Sequence, residues 1–243
     1  WKFYKNLYVV DIRQSLHFKQ VFRVAELLGL GNLNRNEHIE FGFMSLPEGA
    51  MSTRKGNVLV LEDVLDEVVE RAREVIREKN PDLRGADRAA EMVGIGALKY
   101  FDLSHHWRSN VVFDKEESLS FDGNTAPYIQ YTNARFLSIL RKSKEKPGRV
   151  REHNLTDLER SVLVSVLRFP EILEDVLGGL SPNLLANYLF HLAQMANLWY
   201  HSHPVLREED RSKRELRLAL VFAISTTLMR GLYLLGIEAP GEM

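Results

Sequence analysis

The feature that most restricts this chain is a change of hydrophobic period partway along it. Runs with strand character occur near the start, at Leu7-Tyr8-Val9-Val10 and from His38 to Met44, whereas every apolar pattern beyond Thr125 repeats at helical spacing. One uniform architecture cannot hold both, so the chain is expected to begin as α/β and end as all-α. Leu7 to Val10 reads as a buried strand with no sheet partner yet supplied, so the chain is expected to open in mid-domain.

Composition narrows the function classes. A formal net charge of -1 gives no global basic field, so any nucleic-acid contact must come from local clusters. Without cysteine there is neither a disulfide nor a cysteine-ligated zinc. The longest apolar run, Leu218 to Gly236, is interrupted by Arg230 and shows helical spacing, which makes it a buried helix and not a membrane span. No signal peptide, internal repeat or low-complexity tract is evident.

Taken in order, the first strand is followed at its carboxyl end by Asp11-Ile12-Arg13-Gln14, where open α/β sheets place their ligands. From the residues alone, the favoured reading of Asp11 and Gln14 is that they satisfy a turn. Ser15 is expected to cap a helix that turns Leu16, Val21, Val24, Ala25 and Leu28 to the core and stops at Gly29. His17 lies on its first turn, either against a ligand or simply solvated. After the second strand the loop Met51-Ser52-Thr53-Arg54-Lys55-Gly56-Asn57 leads to an amphipathic helix from Leu61, with Val64, Leu65, Val68, Val69, Ala72, Val75 and Ile76 on one face. Small residues let such a loop bend, and adjacent cations can close over polyphosphate; on its own it reads equally as solvated surface. A further helix spans about Ala86 to Tyr100, and its glycines suggest close packing. Val111 to Phe113 begins a linker that ends at Thr125, the cap of the next helix.

That helix, about Ala126 to Lys142, places Tyr128, Tyr131, Arg135 and Lys142 within one stripe at about 100° per residue. Rings interleaved with cations suit single-stranded RNA, because bases stack on the rings while the cations hold phosphate. Spacing alone favours the plainer reading, tyrosines as amphipathic core residues with a solvated rim. Beyond the basic connection Lys144 to Arg151, a capping box of Thr156 and Glu159 opens a helix to Phe169. Pro170 opens a short helix stopped at Gly178-Gly179, Ser181-Pro182 opens another to about Tyr200, and the last helix runs from about Ser212 to Leu235, with a Schellman-like stop at Gly236. The tail Ile237 to Met243 has little to order it and is expected to order on RNA. His105-His106 and the pair His201 and His203 lack further ligands, so no metal site is expected.

AMSTRKGN resembles the KMSKS signature of class I aminoacyl-tRNA synthetases, in the MSTRKGN form seen among arginyl-tRNA synthetases. YVVDIRQSLHFKQVF, MVGIGALKYFDLS, APYIQYTNARFLSILRK and the closing LLGIEAP…M resemble the same family, in the right order over nearly the whole chain. The fold class implied is α/β then all-α. Residues 1–122 would be the second half of a Rossmann-type catalytic domain with its signature loop and connecting helices, and residues 123–243 an all-helical anticodon-binding domain.

The resemblance implies part of an arginine-tRNA ligase that activates arginine with ATP, accompanied by Mg2+, and attaches it to tRNA. It implies no permanently bound cofactor, no membrane association, a monomer and a cytoplasmic location. ATP contact falls on Met51, Ser52, Thr53, Arg54, Lys55 and Gly56. Set against KMSKSKGN, Ala50 and Thr53 replace the usual lysines, which leaves the catalytic role to Arg54 and, foremost, Lys55. Arginine binding falls on Gln14. Anticodon contact falls on Tyr131, Arg135, Arg141, Tyr200 and Met243, although Arg141 lies roughly a third of a turn off the stripe.

His106-Trp107 stands where the family has an Asn-Arg pair, and Gly241-Glu242 where Glu-Arg is common. The HIGH signature, the early Rossmann strands and an amino-terminal tRNA-elbow module do not occur in this chain. The implied partner is therefore the missing amino-terminal half, and the chain alone is expected to be inactive. The other reading is a free-standing, non-catalytic tRNA-binding module, which retention of the loop and Gln14 disfavours.

Overall fold

The computed structural model describes residues 4–30, 35–45, 60–143 and 154–243. The loop residues Met51, Ser52, Thr53, Arg54, Lys55 and Gly56 lie outside these, as do Ala50 and the connection from Lys144 to Arg151. By packing the chain parts into two compact units, one of Trp1–Val58 with His105–Phe113, the other of Leu59–Ser104 with Asp114–Met243.

The first unit holds two parallel strand pairs and one longer helix. β1 (Asn6–Asp11) pairs with β2 (Asn36–Phe41) so that Val9 lies opposite Ile39, and α1 (Ser15–Leu27) connects them. The face of α1 turned to the sheet is not the expected one. Phe18 and Phe22 lie against Tyr8 with ring centroids 5.2 and 5.3 Å apart, and Phe18 also stacks on His38 at 4.4 Å. Ala25 is half-buried on the same side, while Leu16, Val21, Val24 and Leu28 are exposed. Both faces of α1 are apolar, and the aromatic one wins because its large rings cover more of the sheet. β1 is likewise not the buried strand expected: Tyr8 and Val10 are half-covered, whereas Leu7 and Val9 on the other face are exposed.

Two further corrections concern strands. The stretch His38 to Met44 is not one strand, because the chain leaves β2 at Gly42, whose N–H donates to the Trp107 carbonyl at 2.6 Å. A Cβ there would lie 2.2 Å from the Ser109 carbonyl oxygen, so only glycine fits. β3 (Met44–Ser45) then pairs in parallel with β4 (Val111–Val112), which makes a strand of the expected linker start; Phe113 is buried beside it.

The second unit is helical. α2 (Leu61–Lys79) buries Val64, Val68, Ala72 and Ile76 against α3 (Ala86–Ser104), which runs past the expected end at Tyr100. Gly94 brings the two helices together, since a Cβ on it would meet the Val68 carbonyl at 2.7 Å. The short α4 (Lys115–Ser118) leads to α5 (Ala126–Ser143), followed by α6 (Asp157–Leu167), α7 (Phe169–Gly179), α8 (Pro182–Ser202) and α9 (Arg211–Leu234). Their core holds Ile129, Phe136, Leu189, Leu192, Trp199, Leu218, Ile224, Leu228 and Leu232, all fully buried. Packing groups α2 and α3 with this bundle: the Tyr100 hydroxyl donates to the Ala186 carbonyl at 2.7 Å, and α3 packs on α5 and α8.

The expected caps are present at α6, where Thr156 and Glu159 exchange both bonds, and after α9, where Gly236 (φ 70°) closes a Schellman turn with Ile237 N–H on the Leu232 carbonyl at 2.9 Å. After α7 the left-handed position falls on Leu180 (φ 50°) and not on a glycine. At α1, Ser15 does not cap. Asp11 instead accepts from the Arg13 N–H and caps the turn before the helix. Glu159 has a second task in the core, where it accepts from Arg217 at 3.0 Å; Arg217 also meets Glu208 at 2.6 Å and the Pro204 carbonyl at 2.8 Å. Burial pushes the Glu159 carboxyl up, but the Thr156 N–H and the Arg217 guanidinium outweigh it and hold the group below its usual range.

Candidate functional site

α5 positions the site. Thr125 opens it, its hydroxyl oxygen accepting from the Tyr128 N–H at 3.3 Å while the hydroxyl donates to the Ser120 carbonyl at 2.5 Å. Helical spacing sends Ile129, Gln130, Asn133 and Phe136 inward and leaves Tyr131, Arg135 and Arg141 on the outer side. One turn apart, Arg135 lies over the Tyr131 ring at 4.9 Å from its centroid. Arg135 also donates to Asn197 Oδ1 on α8 at 3.3 Å, and Asn197 in turn donates to the hydroxyls of Tyr128 and Thr132 at 3.0 and 2.8 Å. The guanidinium is thus held from two sides. Tyr128, by contrast, packs edge-on against Phe190 at 5.5 Å and belongs to the wall of the bundle, as the plainer reading of the stripe had it.

Tyr200 arrives at the end of α8, half-buried, its ring edge-on to Phe136 at 5.9 Å. Met243 arrives through the tail, which is already pinned and does not wait for RNA. Lys99 donates to the Gly236 carbonyl at 2.6 Å, Gln130 to Glu238 O at 2.7 Å, Arg141 to Gly241 O at 3.1 Å and Asn80 to Met243 O at 3.3 Å. Ile237 is buried. These anchors replace the loose tail that the sequence suggested.

The five residues expected to touch the anticodon therefore meet in one hollow of about 440 Å³, where Tyr131, Arg135, Arg141, Tyr200 and Met243 are joined by Lys142. Arg141, the poorest fit to the helical stripe, enters because the tail comes to it; it also pairs with Glu242 at 3.1 Å. Rings, cations and a thioether around an open hollow can stack a base and hold its phosphate. Sequence reading missed Asn197, Asn80 and Glu242. Asn197 lies three residues before Tyr200 on α8, so helical spacing could have found it; Asn80 is the C-cap of α2, and no spacing links it to the tail.

In the first unit, Gln14 is exposed at the carboxyl end of β1 and makes no capping hydrogen bond, so the turn does not need its side chain. Asp11 does satisfy that turn. Arg13 grips it through two bonds of 2.8 Å and holds its carboxyl below the usual range. Arg13 also lies over Phe43 at 5.4 Å. His17 is exposed, with its ring against Phe18.

Among the described residues no group of three or more His, Asp or Glu gathers as metal ligands. His203 bonds Thr156 Oγ1 at 3.2 Å and ties the start of α6 to the end of α8, while His106 stacks on Trp107 at 5.1 Å.

Residues 1–115 match the catalytic domain of class I tRNA synthetases (R), and residues 129–243 match the DALR anticodon binding domain. Arginine–tRNA ligase of Halothermothrix orenii is 40% identical over 245 residues, covering 100% of this chain and 43% of that protein. Arginine–tRNA ligase 2 of Bacillus anthracis is 41% identical, covering 99% of this chain and 42% of that one. The structure of Thermus thermophilus arginyl-tRNA synthetase superposes with a TM-score of 0.90 at 36% identity over 98% of this chain and 41% of its own. That from Plasmodium falciparum gives 0.79 at 26% identity, again over 98% and 41%. The chain spans less than half the length of the curated relatives it matches. It belongs to the arginyl-tRNA synthetase family, and carries a fragment of the class I catalytic domain followed by the anticodon-binding domain.

Proposed function

We propose that this chain acts as the carboxyl-terminal part of an arginine–tRNA ligase and that the hollow between α5, α8 and the tail receives the anticodon loop of arginine tRNA. The observation that supports this most is the gathering of Tyr131, Arg135, Arg141, Tyr200 and Met243, spread over more than a hundred residues of sequence, around one open hollow. In this reading residues 123–243 recognise the tRNA, and residues 1–122 contribute to arginine activation. Gln14, exposed at a strand end and not needed by its turn, contacts the arginine. Lys55 and Arg54, in the ATP-contacting loop Met51 to Gly56, follow the polyphosphate of ATP, which carries Mg2+. The exposed Leu7, Val9, Leu16, Val24 and Leu28 are covered by the remainder of the catalytic domain, for which a parallel pair clothed on one face has room. The assembled enzyme works as a monomer in the cytoplasm.

The test is binding of the whole chain to arginine tRNA and to the same tRNA with a scrambled anticodon. Tighter binding to the native anticodon is expected, and Tyr200→Ala should weaken it about five- to a hundred-fold, the range for losing one stacked base, with the melting temperature nearly unchanged. Equal binding to both RNAs would overturn the reading. Unfolding of Tyr200→Ala would return that tyrosine to the core.

A further inference from the structure

A second hollow adjoins the first. It measures about 400 Å³ and is lined by Ile76, Lys79, Asn80, Phe121 and Asp122, with Tyr131 and Met243 closing it. Asn80, Tyr131 and Met243 line both hollows, so the two share a wall. The rings of Phe121 and Tyr131 meet edge to face with centroids 6.2 Å apart, and the Lys79 ammonium lies 5.3 Å above the centre of the Phe121 ring. A ring face that can hold a cation is an accessible π surface, the kind on which a base stacks.

The turn that presents Phe121 is fixed in advance. On one side Ser120 accepts the Thr125 hydroxyl at 2.5 Å. On the other, Asn124 Oδ1 lies 2.6 Å from the Tyr100 hydroxyl oxygen, and Asn124 donates to Asn187 Oδ1 at 2.9 Å. Binding there would cost little ordering entropy.

We propose that this hollow is a second nucleobase subsite, taking the base next along the RNA strand from the one held by Tyr131, Arg135 and Tyr200. The proposal rests on the reading of this face as an RNA surface. The incoming base replaces the ammonium on the Phe121 ring, and Lys79 turns to the flanking phosphate. Asp122 is an exposed carboxylate that can only accept, so it favours a base with an exocyclic amino group, such as cytosine, over uracil. A separation of 6.2 Å between the two platforms lies within the reach of a single nucleotide step.

The experiment measures anisotropy of a labelled anticodon stem–loop of arginine tRNA on the whole chain, with loop nucleotides made abasic one at a time. Phe121→Leu should weaken the intact RNA about ten-fold. It should change nothing further for the RNA that is abasic at one particular nucleotide, the neighbour of the nucleotide to which Tyr200→Ala is coupled. Phe121→Tyr should bind as wild type, and Asp122→Asn should erase a cytosine-over-uracil preference at the same position. If Phe121→Leu and Asp122→Asn bind every RNA as wild type while Tyr200→Ala weakens binding, the second subsite is wrong and the first stands. If Phe121→Leu weakens all the abasic RNAs alike, the ring supports the turn and the subsite is likewise wrong. If neither Tyr200→Ala nor Phe121→Leu alters binding, the RNA reading of the whole face fails.

Discussion

The two units solve the same burial problem to different degrees. In the bundle, Trp199, Phe136, Leu189 and Leu228 are wholly enclosed, and even the guanidinium of Arg217 finds partners inside. In the strand unit, α1 buries no residue at all, and Ile39 is the one buried residue of β1 and β2. Apolar side chains are plentiful in both. What differs is whether their apolar surface is covered: exposed side chains remain on the outer side of α1 and on the uncovered face of β1, and such surfaces mark places where further protein packs.

The largest effect that would test this contrast is catalytic. Arginine-dependent ATP–pyrophosphate exchange by the chain alone should stay at background and should rise by orders of magnitude when the remainder of a family catalytic domain is added in trans. Robust exchange without that addition would show that the strand unit is complete as it stands. Hydrogen exchange gives the physical counterpart: amides of β1 and α1 should exchange far faster than those of α8 and α9, and slow when that remainder is added.

The next effect tests the claim that the bundle is self-sufficient. Arg217→Met leaves Glu159 buried without its counter-charge and should cost about 3–5 kcal/mol in urea unfolding. The pH dependence has a definite sign. The Glu159 carboxyl titrates lower in the folded than in the unfolded chain, so its stabilising contribution is present above its unfolded value, about 4.3, and fades as pH falls through the folded one. Glu159→Gln should flatten that acid limb. A variant as acid-sensitive as wild type would place the sensitivity elsewhere.

A paired substitution sharpens the comparison directly. Leu228→Ala in the enclosed core should cost about 2–5 kcal/mol, whereas Leu28→Ser at the exposed C-cap of α1 should stay within about 0.5 kcal/mol for the chain alone. With the remainder of a family catalytic domain added in trans, Leu28→Ser should weaken that association. Equal costs in the isolated chain would mean that α1 is packed in solution.

Local signals were the legible ones. Thr156 with Glu159, and Gly236 after α9, act within one turn, and the sequence reads them correctly. The core face of α1 was misread because the helix is apolar on two sides, and periodicity cannot say which side the sheet meets. The strand of Val111 and Val112 was hidden because its partner, Met44, is far away in sequence. For the site, spacing alone favoured a core role for all the tyrosines. The structure gives Tyr128 that role and leaves Tyr131 exposed, a difference made by Asn197 and Phe190 on another helix. Arg141 could not be placed from α5 at all, since it is the tail that completes its surroundings.

The smallest effect concerns that tail. Glu242 lies 3.1 Å from Arg141, and both are largely exposed, so the pair contributes little to stability and is screened by salt. It nevertheless sits on the rim of the hollow proposed for RNA, where a carboxylate competes with phosphate for the same guanidinium. Glu242→Gln should therefore tighten arginine-tRNA binding a few-fold at low salt, steepen its salt dependence as one more cation becomes available, and leave the melting temperature unchanged. Arg141→Gln should weaken binding and flatten the salt slope, and the double variant should behave as Arg141→Gln alone, since Glu242 then has nothing to mask. If Glu242→Gln weakens binding instead, the carboxylate is holding Met243 in position, and the order of the tail matters more to this face than its charge.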